Sequence, residues 1–192
     1  MTTNIPKDWT SIINRLSKKH GADDTAPAFT YGAFIHEATN TFVEKSTDYD
    51  DRYLRGLIAL DARTIWKWEV DKKLDRLRTW LKRGELQVKG EGIRNSVDDL
   101  FIYSVQYVAY IQHVVNDGMT DKGFLHMVRA DREGFFSYRA ARLTPSEWVE
   151  FLVNKGLIEE DEAILQLLLQ SYMGADIAVE DWQNAIRATL KK

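Results

Sequence analysis

Apolar residues recur three and four positions apart along most of the chain, and strict alternation over six or more residues is hard to find. This spacing is typical of amphipathic helices and not of strands. It predicts three long helices, over about residues 31 to 46, 60 to 83 and 91 to 117. The polar stretch from Ser46 to Asp51 lies between the first two and predicts a turn.

The C-terminal third carries clear helix boundaries. Thr144, Pro145 and Glu147 stand in the order of a capping box with proline at the first helical position. Gly156 is expected to end that helix. Two further helices are predicted, one starting at the acidic residues 159–162 and ending at Gly174, the other over about 179 to 190. The pattern therefore predicts an all-α protein, with a helical bundle over residues 28–117 and an α-helical C-terminal extension over 118–192 in a single domain.

The composition is that of a folded globular protein. The chain has 192 residues, of which 44% are hydrophobic and 29% charged, and it contains no cysteine. Disulfides, thiolate metal ligands and cysteine nucleophiles are thereby excluded. The longest apolar runs fall well short of the roughly 18 to 20 residues that cross a bilayer. We therefore expect a cytoplasmic protein with no membrane partner.

The net charge of -3 conceals an uneven distribution. Residues 62–94 carry ten basic and five acidic side chains, whereas residues 143–181 carry nine acidic and one basic. The basic segment could attract a phosphate-bearing ligand, and the acidic segment argues against an extended nucleic-acid surface. Ordinary solvated helix faces remain the alternative explanation for most of these charges.

One helix face carries candidate metal ligands. Glu91, Asn95 and Asp99 are four residues apart, so a helix stacks two carboxylates and an amide along one side. Such oxygen ligands suit magnesium. Gln106 and His113 prolong roughly the same strip, so the alternative is that it is the wet side of an amphipathic helix.

A second set of polar residues lies on the first predicted helix. Glu37, Asn40 and Glu44 share a face there and could supply further metal ligands, although solvated or ion-paired glutamates explain them equally well.

Three bases are placed where they could neutralise a polyphosphate. They are Lys45, Lys72 and Arg76. The alternative is ion pairing within the bundle, because acidic residues lie close to each of them in sequence.

Three short blocks resemble a known family, the phage and prophage nucleotide modification associated domain. The blocks are Lys45-Ser46-Thr47-Asp48-Tyr49, then Asp71-Lys72-Lys73-Leu74-Asp75-Arg76-Leu77, then Glu91-Gly92-Ile93 continuing through Asp99-Leu100 to Tyr103. That family is similar to the all-α nucleoside triphosphate pyrophosphatases, the MazG and dimeric dUTPase relatives. The resemblance covers about residues 33–112. It implies a MazG-like bundle that binds Mg2+ through acidic helix pairs and cleaves a nucleoside triphosphate to monophosphate and pyrophosphate.

The resemblance also implies roles for particular residues. Glu91 and Asp99 would be catalytic and would bind the metal, with Glu44 as a further metal ligand. The substrate-binding residues would be Lys45, Asp48, Lys72, Arg76 and Asn95.

Two departures from the family pattern bear on activity. Asn95 stands where the pattern has aspartate, and Asp50 stands where it has glycine. Losing a carboxylate weakens magnesium binding and water activation together, although Asp98 could compensate in part. The alternatives to a pyrophosphohydrolase are therefore a non-catalytic binder of a nucleotide or signal nucleotide, for example in phage counter-defence, and a helical protein interaction module.

Partners follow from the same resemblance. Bundles of this superfamily bury apolar helix faces between subunits, which implies a homodimer or higher homo-oligomer. The aromatic residues expected at that interface are Trp66, Trp80, Tyr103, Tyr107 and Tyr110.

The segment from Arg129 to Arg142 mixes arginines with aromatic residues. It could stack on a base and hold phosphates. The alternative is that its aromatics belong to the core and its arginines pair with nearby acids.

Overall fold

The computed structural model describes residues 31–83, Gln87 and 92–173, and every regular element within them is a helix. The helices are α1 Tyr31–Asp48, α2 Arg52–Ala59, α3 Ala62–Arg83, α4 Ile93–Tyr110, α5 Asp121–Ala130, α6 Arg132–Ala140, α7 Pro145–Asn154 and α8 Ala163–Tyr172. The π-helical segment Ile111–Asn116 continues α4. The predicted all-α class is confirmed.

Most of the predicted elements are present. α1, α3 and α4 correspond to the three long helices, and α7 begins with the predicted capping box, in which Thr144 accepts from the Glu147 amide and Glu147 accepts from the Thr144 amide. Gly156 follows α7 with a φ of 70°, as expected of a helix-ending glycine. The helix predicted over about 179 to 190 and the stop at Gly174 lie outside the described residues.

Three helices were not predicted individually. Helices α5 and α6 fall within the predicted α-helical extension, whereas α2 falls on no predicted element. Helix α2 lies directly before the predicted start of α3 and buries Leu54 and Leu57 against the core. It is only 8 residues long, too short to be stable by itself, so its stability comes from this packing.

Helix α4 is the centre of the molecule. It packs against α1, α2, α3, α6 and α8, and side chains on all of its faces are buried. A helix that is covered on every side has to be apolar around most of its circumference. The polar residues of α4 that are nonetheless buried are Ser96, Asp98, Asp99, Ser104 and Gln106.

Aromatic packing joins the other helices to α4. Phe34 of α1 meets Phe101 edge to face with ring centroids 4.9 Å apart, and the Trp66 ring of α3 stacks on Tyr107 at 4.4 Å. Trp66 and Trp80 are 1% and 3% exposed, and Tyr107 is also buried. These three side chains belong to the core of one chain, which is a correction of their expected place at a subunit interface.

The turn between α1 and α2 has an unusual backbone. Asp50 and Asp51 are consecutive residues with positive φ, 48° and 52°, a region that most residues avoid and that aspartate tolerates better than most. This explains how Asp50 can stand where the family pattern has glycine, since glycine adopts this conformation readily.

Two arginines of the C-terminal half hold this turn in place. The Asp51 side chain is fully buried, and its Oδ2 accepts from Arg129 Nε at 2.7 Å and from Arg132 Nη2 at 2.9 Å. The two cations come from α5 and α6, so the ion pairs connect the α1–α2 turn to the second half of the chain.

Within the described residues, no helix is long and apolar enough to span a membrane.

The Asp51 ion pairs lead to a stability prediction. Asparagine tolerates positive φ and has nearly the shape of aspartate, so Asp51→Asn removes little except the charge. We expect the free energy of unfolding in urea to fall by about 2 kcal/mol, because three charge-assisted hydrogen bonds from Arg129 and Arg132 lose their ionised acceptor. Asp50→Asn is the control, since Asp50 shares the backbone conformation but has a 71% exposed side chain, and it should change stability by less than about 0.5 kcal/mol. Equal losses in the two variants would contradict a role for the buried ion pairs.

Candidate functional site

A cavity of about 620 Å³ opens between the first four helices. Lys45 and Ser46 of α1 line it, together with residues from α2, α3 and α4. Its volume lies within the range of typical small-molecule sites.

The structure brings three of the predicted site residues together at this cavity. Lys45 comes from α1, Lys72 from α3 and Asp99 from α4, and all three line the cavity wall. They are 27 or more positions apart in sequence, so only the packing of the helices places them side by side.

The other predicted site residues do not join them. Glu44, Asp48 and Asn95 are exposed and lie outside the cavity lining. Arg76 is partly buried on α3 and also lies outside the lining. Glu91, predicted to be both catalytic and a metal ligand, lies outside the described residues.

Asp99 is held by two lysines. Lys45 Nζ lies 2.5 Å from Oδ1 and Lys73 Nζ lies 2.7 Å from Oδ2, while the Asp99 side chain is only 11% exposed. Each carboxylate oxygen therefore already has an ammonium partner. Two positive charges at this distance oppose the approach of a divalent cation.

The donor set around Asp99 does not fit the predicted magnesium site. No group of three histidine, aspartate or glutamate residues suited to a metal occurs in the part of the chain that the structure describes. Glu44 is exposed and away from the cavity lining, and Asp98 does not line the cavity either. Because Glu91 is not described, magnesium binding stays a prediction.

Tyrosines form another part of the cavity wall. Tyr53 and Tyr103 have ring centroids 4.5 Å apart, and the Tyr53 hydroxyl donates to the Tyr103 carbonyl oxygen at 3.2 Å. Burial raises the pKa of both phenols, so both are neutral at neutral pH. Tyr49 also lines the cavity, with 63% of its surface exposed.

Several lining residues were not predicted from the sequence. Tyr53 lies on α2, the helix that the periodicity missed. Gln106 was placed on a wet helix face, but it is only 4% exposed and lines the cavity. Gln106 follows Asp99 by two helical turns, so the sequence does place it on the same helix face. That spacing identifies a site residue only when it is known that other helices cover this face.

The segment from Arg129 to Arg142 agrees in part with the alternative that its aromatics belong to the core and its arginines pair with acids, since Tyr138 is 58% exposed with the Arg142 guanidinium 3.7 Å from its ring centroid. Phe135 and Phe136 are core residues, and Arg129 and Arg132 bind Asp51. The Arg139 guanidinium covers the Phe135 ring at 4.1 Å.

Asp98 is directed into a separate ion-pair cluster. Arg94 Nε lies 2.9 Å from Asp98 Oδ1, and Arg94 Nη2 lies 2.7 Å from Glu37 Oε2. Burial raises the pKa of Asp98 to about 6, although the Arg94 guanidinium acts in the opposite direction. Glu37 and Asp99 contribute smaller raising effects.

Comparison with protein-family models, with characterised proteins and with solved structures finds no significant match to this chain. The functional argument therefore depends on the geometry of the cavity.

The raised pKa of Asp98 gives a pH prediction. The pKa of the Asp98 carboxyl is about 6 in the folded protein and about 3.9 in the unfolded chain. Because the folded protein binds this proton more tightly, the folded state loses stability as the pH rises from about 3.9 to about 6. Asp98→Asn has no such proton to lose. We expect wild type to become less stable relative to this variant, by on the order of 2 kcal/mol, between pH 4 and pH 7. Urea unfolding of both proteins across this range measures the difference, and a constant difference would contradict the prediction.

Proposed function

We propose that this protein binds a nucleotide in the cavity between α1, α2, α3 and α4. The observation that carries the proposal is the composition of the cavity wall, where cationic side chains and tyrosine rings face one space large enough for such a ligand. The cationic side chains can form charge-assisted hydrogen bonds with phosphate groups, and the tyrosine rings can stack on a planar base.

The pairing of the charges at the cavity favours an anion. Three acids line it, and each has at least one cationic partner: Asp51, Glu69 and Asp99. Three bases also line it, Lys45, Arg52 and Lys72, so the lining residues themselves carry no net charge. Lys73 binds Asp99, and Arg129 and Arg132 bind Asp51, from outside the lining. Because the acids of the lining are all paired while Arg52 has no acidic partner among the described residues, the wall favours an anion over a cation.

Two of these bases are well placed to bind phosphate. Arg52 lines the cavity, is exposed and forms no ion pair with any described residue. Among the described residues Lys72 forms an ion pair with Glu69 alone, at 2.7 Å, and its side chain remains 48% exposed. Neither side chain has to break a buried interaction in order to reach a ligand.

Binding without turnover is the form of the proposal that the described residues support best. Hydrolysis by the mechanism that the resemblance implies needs carboxylates gathered around a metal, whereas Asp99 is neutralised by Lys45 and Lys73. In this proposal Arg52 and Lys72 supply to the phosphates the positive charge that a metal would otherwise supply. The homodimer and the phage context stay predictions.

The proposal predicts nucleotide binding that survives chelation. Titration calorimetry with ATP, GTP, CTP and UTP in EDTA should give saturable binding of at least one, because side chains and not a metal neutralise the phosphates. A pyrophosphate-release assay with the same nucleotides and magnesium should show no turnover. Absence of binding to all four nucleotides, with and without magnesium, would contradict the proposal. Steady turnover would instead support a magnesium-dependent pyrophosphohydrolase.

Charge-removing variants locate the phosphates. Arg52→Gln and Lys72→Gln should each weaken nucleotide binding by about tenfold, the effect of losing one charge-assisted hydrogen bond. Lys67→Gln is the matched control, because Lys67 is exposed on the same helix as Lys72 but does not line the cavity. Equal effects of Lys67→Gln and Lys72→Gln would indicate general electrostatic attraction and no defined phosphate site.

A further inference from the structure

Gln106 is a buried polar side chain with unused hydrogen-bonding capacity at the cavity. It lines the cavity and is 4% exposed, and its Nε2 donates to the Ile102 carbonyl oxygen at 3.2 Å. Because a carbonyl can only accept, this contact identifies which end of the amide is the nitrogen. The Oε1 atom accepts no hydrogen bond from any described residue.

An amide oxygen in this position favours a ligand that donates to it. The Oε1 atom is not one of the buried side-chain atoms that lack a partner, so it is accessible from the cavity, where a bound N–H or O–H group can donate to it. The second N–H of the amide is also available, so Gln106 offers an acceptor and a donor side by side.

The cavity has two chemically different ends. Asp99 and Gln106 face it from the same helix, seven residues apart, which corresponds to about 10 Å along the helix axis. Helix α3 runs antiparallel to α4, since Lys73 contacts Asp99 while Trp66 contacts Ser104 and Tyr107.

The lining of α3 follows the same order. Lys72, next to Lys73, therefore lies at the Asp99 end, and Ile65, next to Trp66, lies at the Gln106 end. In the part of the lining that α3 and α4 contribute, the end at Asp99 and Lys72 is charged, whereas the other end pairs the Gln106 amide with the apolar Ile65.

We infer that Gln106 recognises the base of the bound nucleotide, with the phosphates at the end formed by Lys45, Lys72 and Asp99. The inference rests on the proposed nucleotide binding and adds the orientation of the ligand and the residue that reads its base. The edges of nucleobases present an N–H donor beside an acceptor, which is the complement of a glutamine amide. A span of about 10 Å suits a base at one end and the outer phosphates at the other.

The first test separates base recognition from phosphate binding. Gln106→Leu should weaken the best-binding nucleoside triphosphate by about tenfold while leaving the Kd of inorganic tripolyphosphate unchanged, because the phosphate end is intact. Gln112→Leu is the matched control, since Gln112 is exposed and does not line the cavity. An equal loss for tripolyphosphate and nucleotide would assign Gln106 a merely structural role and overturn the inference.

The second test uses the wild-type protein and does not depend on the variant folding. An analogue of the same nucleotide whose base N–H donors are replaced by N-methyl groups should bind wild type about tenfold more weakly than the parent. In Gln106→Leu the penalty for methylation should shrink, since the acceptor is gone. Equal binding of parent and methylated nucleotide by wild type would overturn the inference.

The two proposals fail in different ways. Failure of all four nucleotides to bind removes both. Nucleotide binding that is insensitive to Gln106→Leu and to base methylation removes only the role of Gln106 and leaves the proposed function standing.

Discussion

Helix α4 is surrounded by five other helices, and five of its polar side chains are buried there. A polar group inside a protein needs a partner, because it has lost its hydrogen bonds to water. Asp98 is therefore paired with Arg94, and Asp99 with Lys45 and Lys73. Ser104 donates to the Leu100 carbonyl oxygen and lies within hydrogen-bond distance of Trp66 Nε1. Gln106 is the buried side chain of α4 whose amide oxygen finds no partner among the described residues, and it is also one that faces the cavity.

The pairing of Asp99 with lysines determines the chemical character of the cavity. A carboxylate surrounded by other carboxylates is a cation site, whereas one held between two ammonium groups is part of a cationic surface. Asp99 keeps the lysines ordered and partly neutralised, while Arg52 and Lys72 remain accessible at the same wall. The arrangement resembles an anion site with an internal counter-ion more than a metal centre.

The C-terminal half of the chain contributes to this cavity without lining it. Arg129 and Arg132 hold Asp51, and Asp51 belongs to the turn that connects two cavity-lining helices. The positive φ values at Asp50 and Asp51 give this turn its shape, and the buried ion pairs stabilise it. The extension after residue 118 therefore has a structural role at the site.

The helices and caps that depend on neighbouring residues along the chain could be predicted from the amino-acid sequence. The three- and four-residue spacing of apolar side chains and the capping box at Thr144 are local signals, and they predicted the all-α class and the bounds of the long helices to within a few residues. Which helix faces are covered depends on how the helices pack against one another. Neighbouring residues in the sequence do not distinguish a solvent-exposed lysine from one that binds Asp99, and they do not show that Gln106 is buried. The ion pairs of a lysine and the burial of Gln106 both depend on side chains from helices that are distant in sequence. The same reason explains why α2 was missed and why Glu44 and Asn95 were grouped with Asp99, since helical spacing shows which residues share a face but not what that face meets.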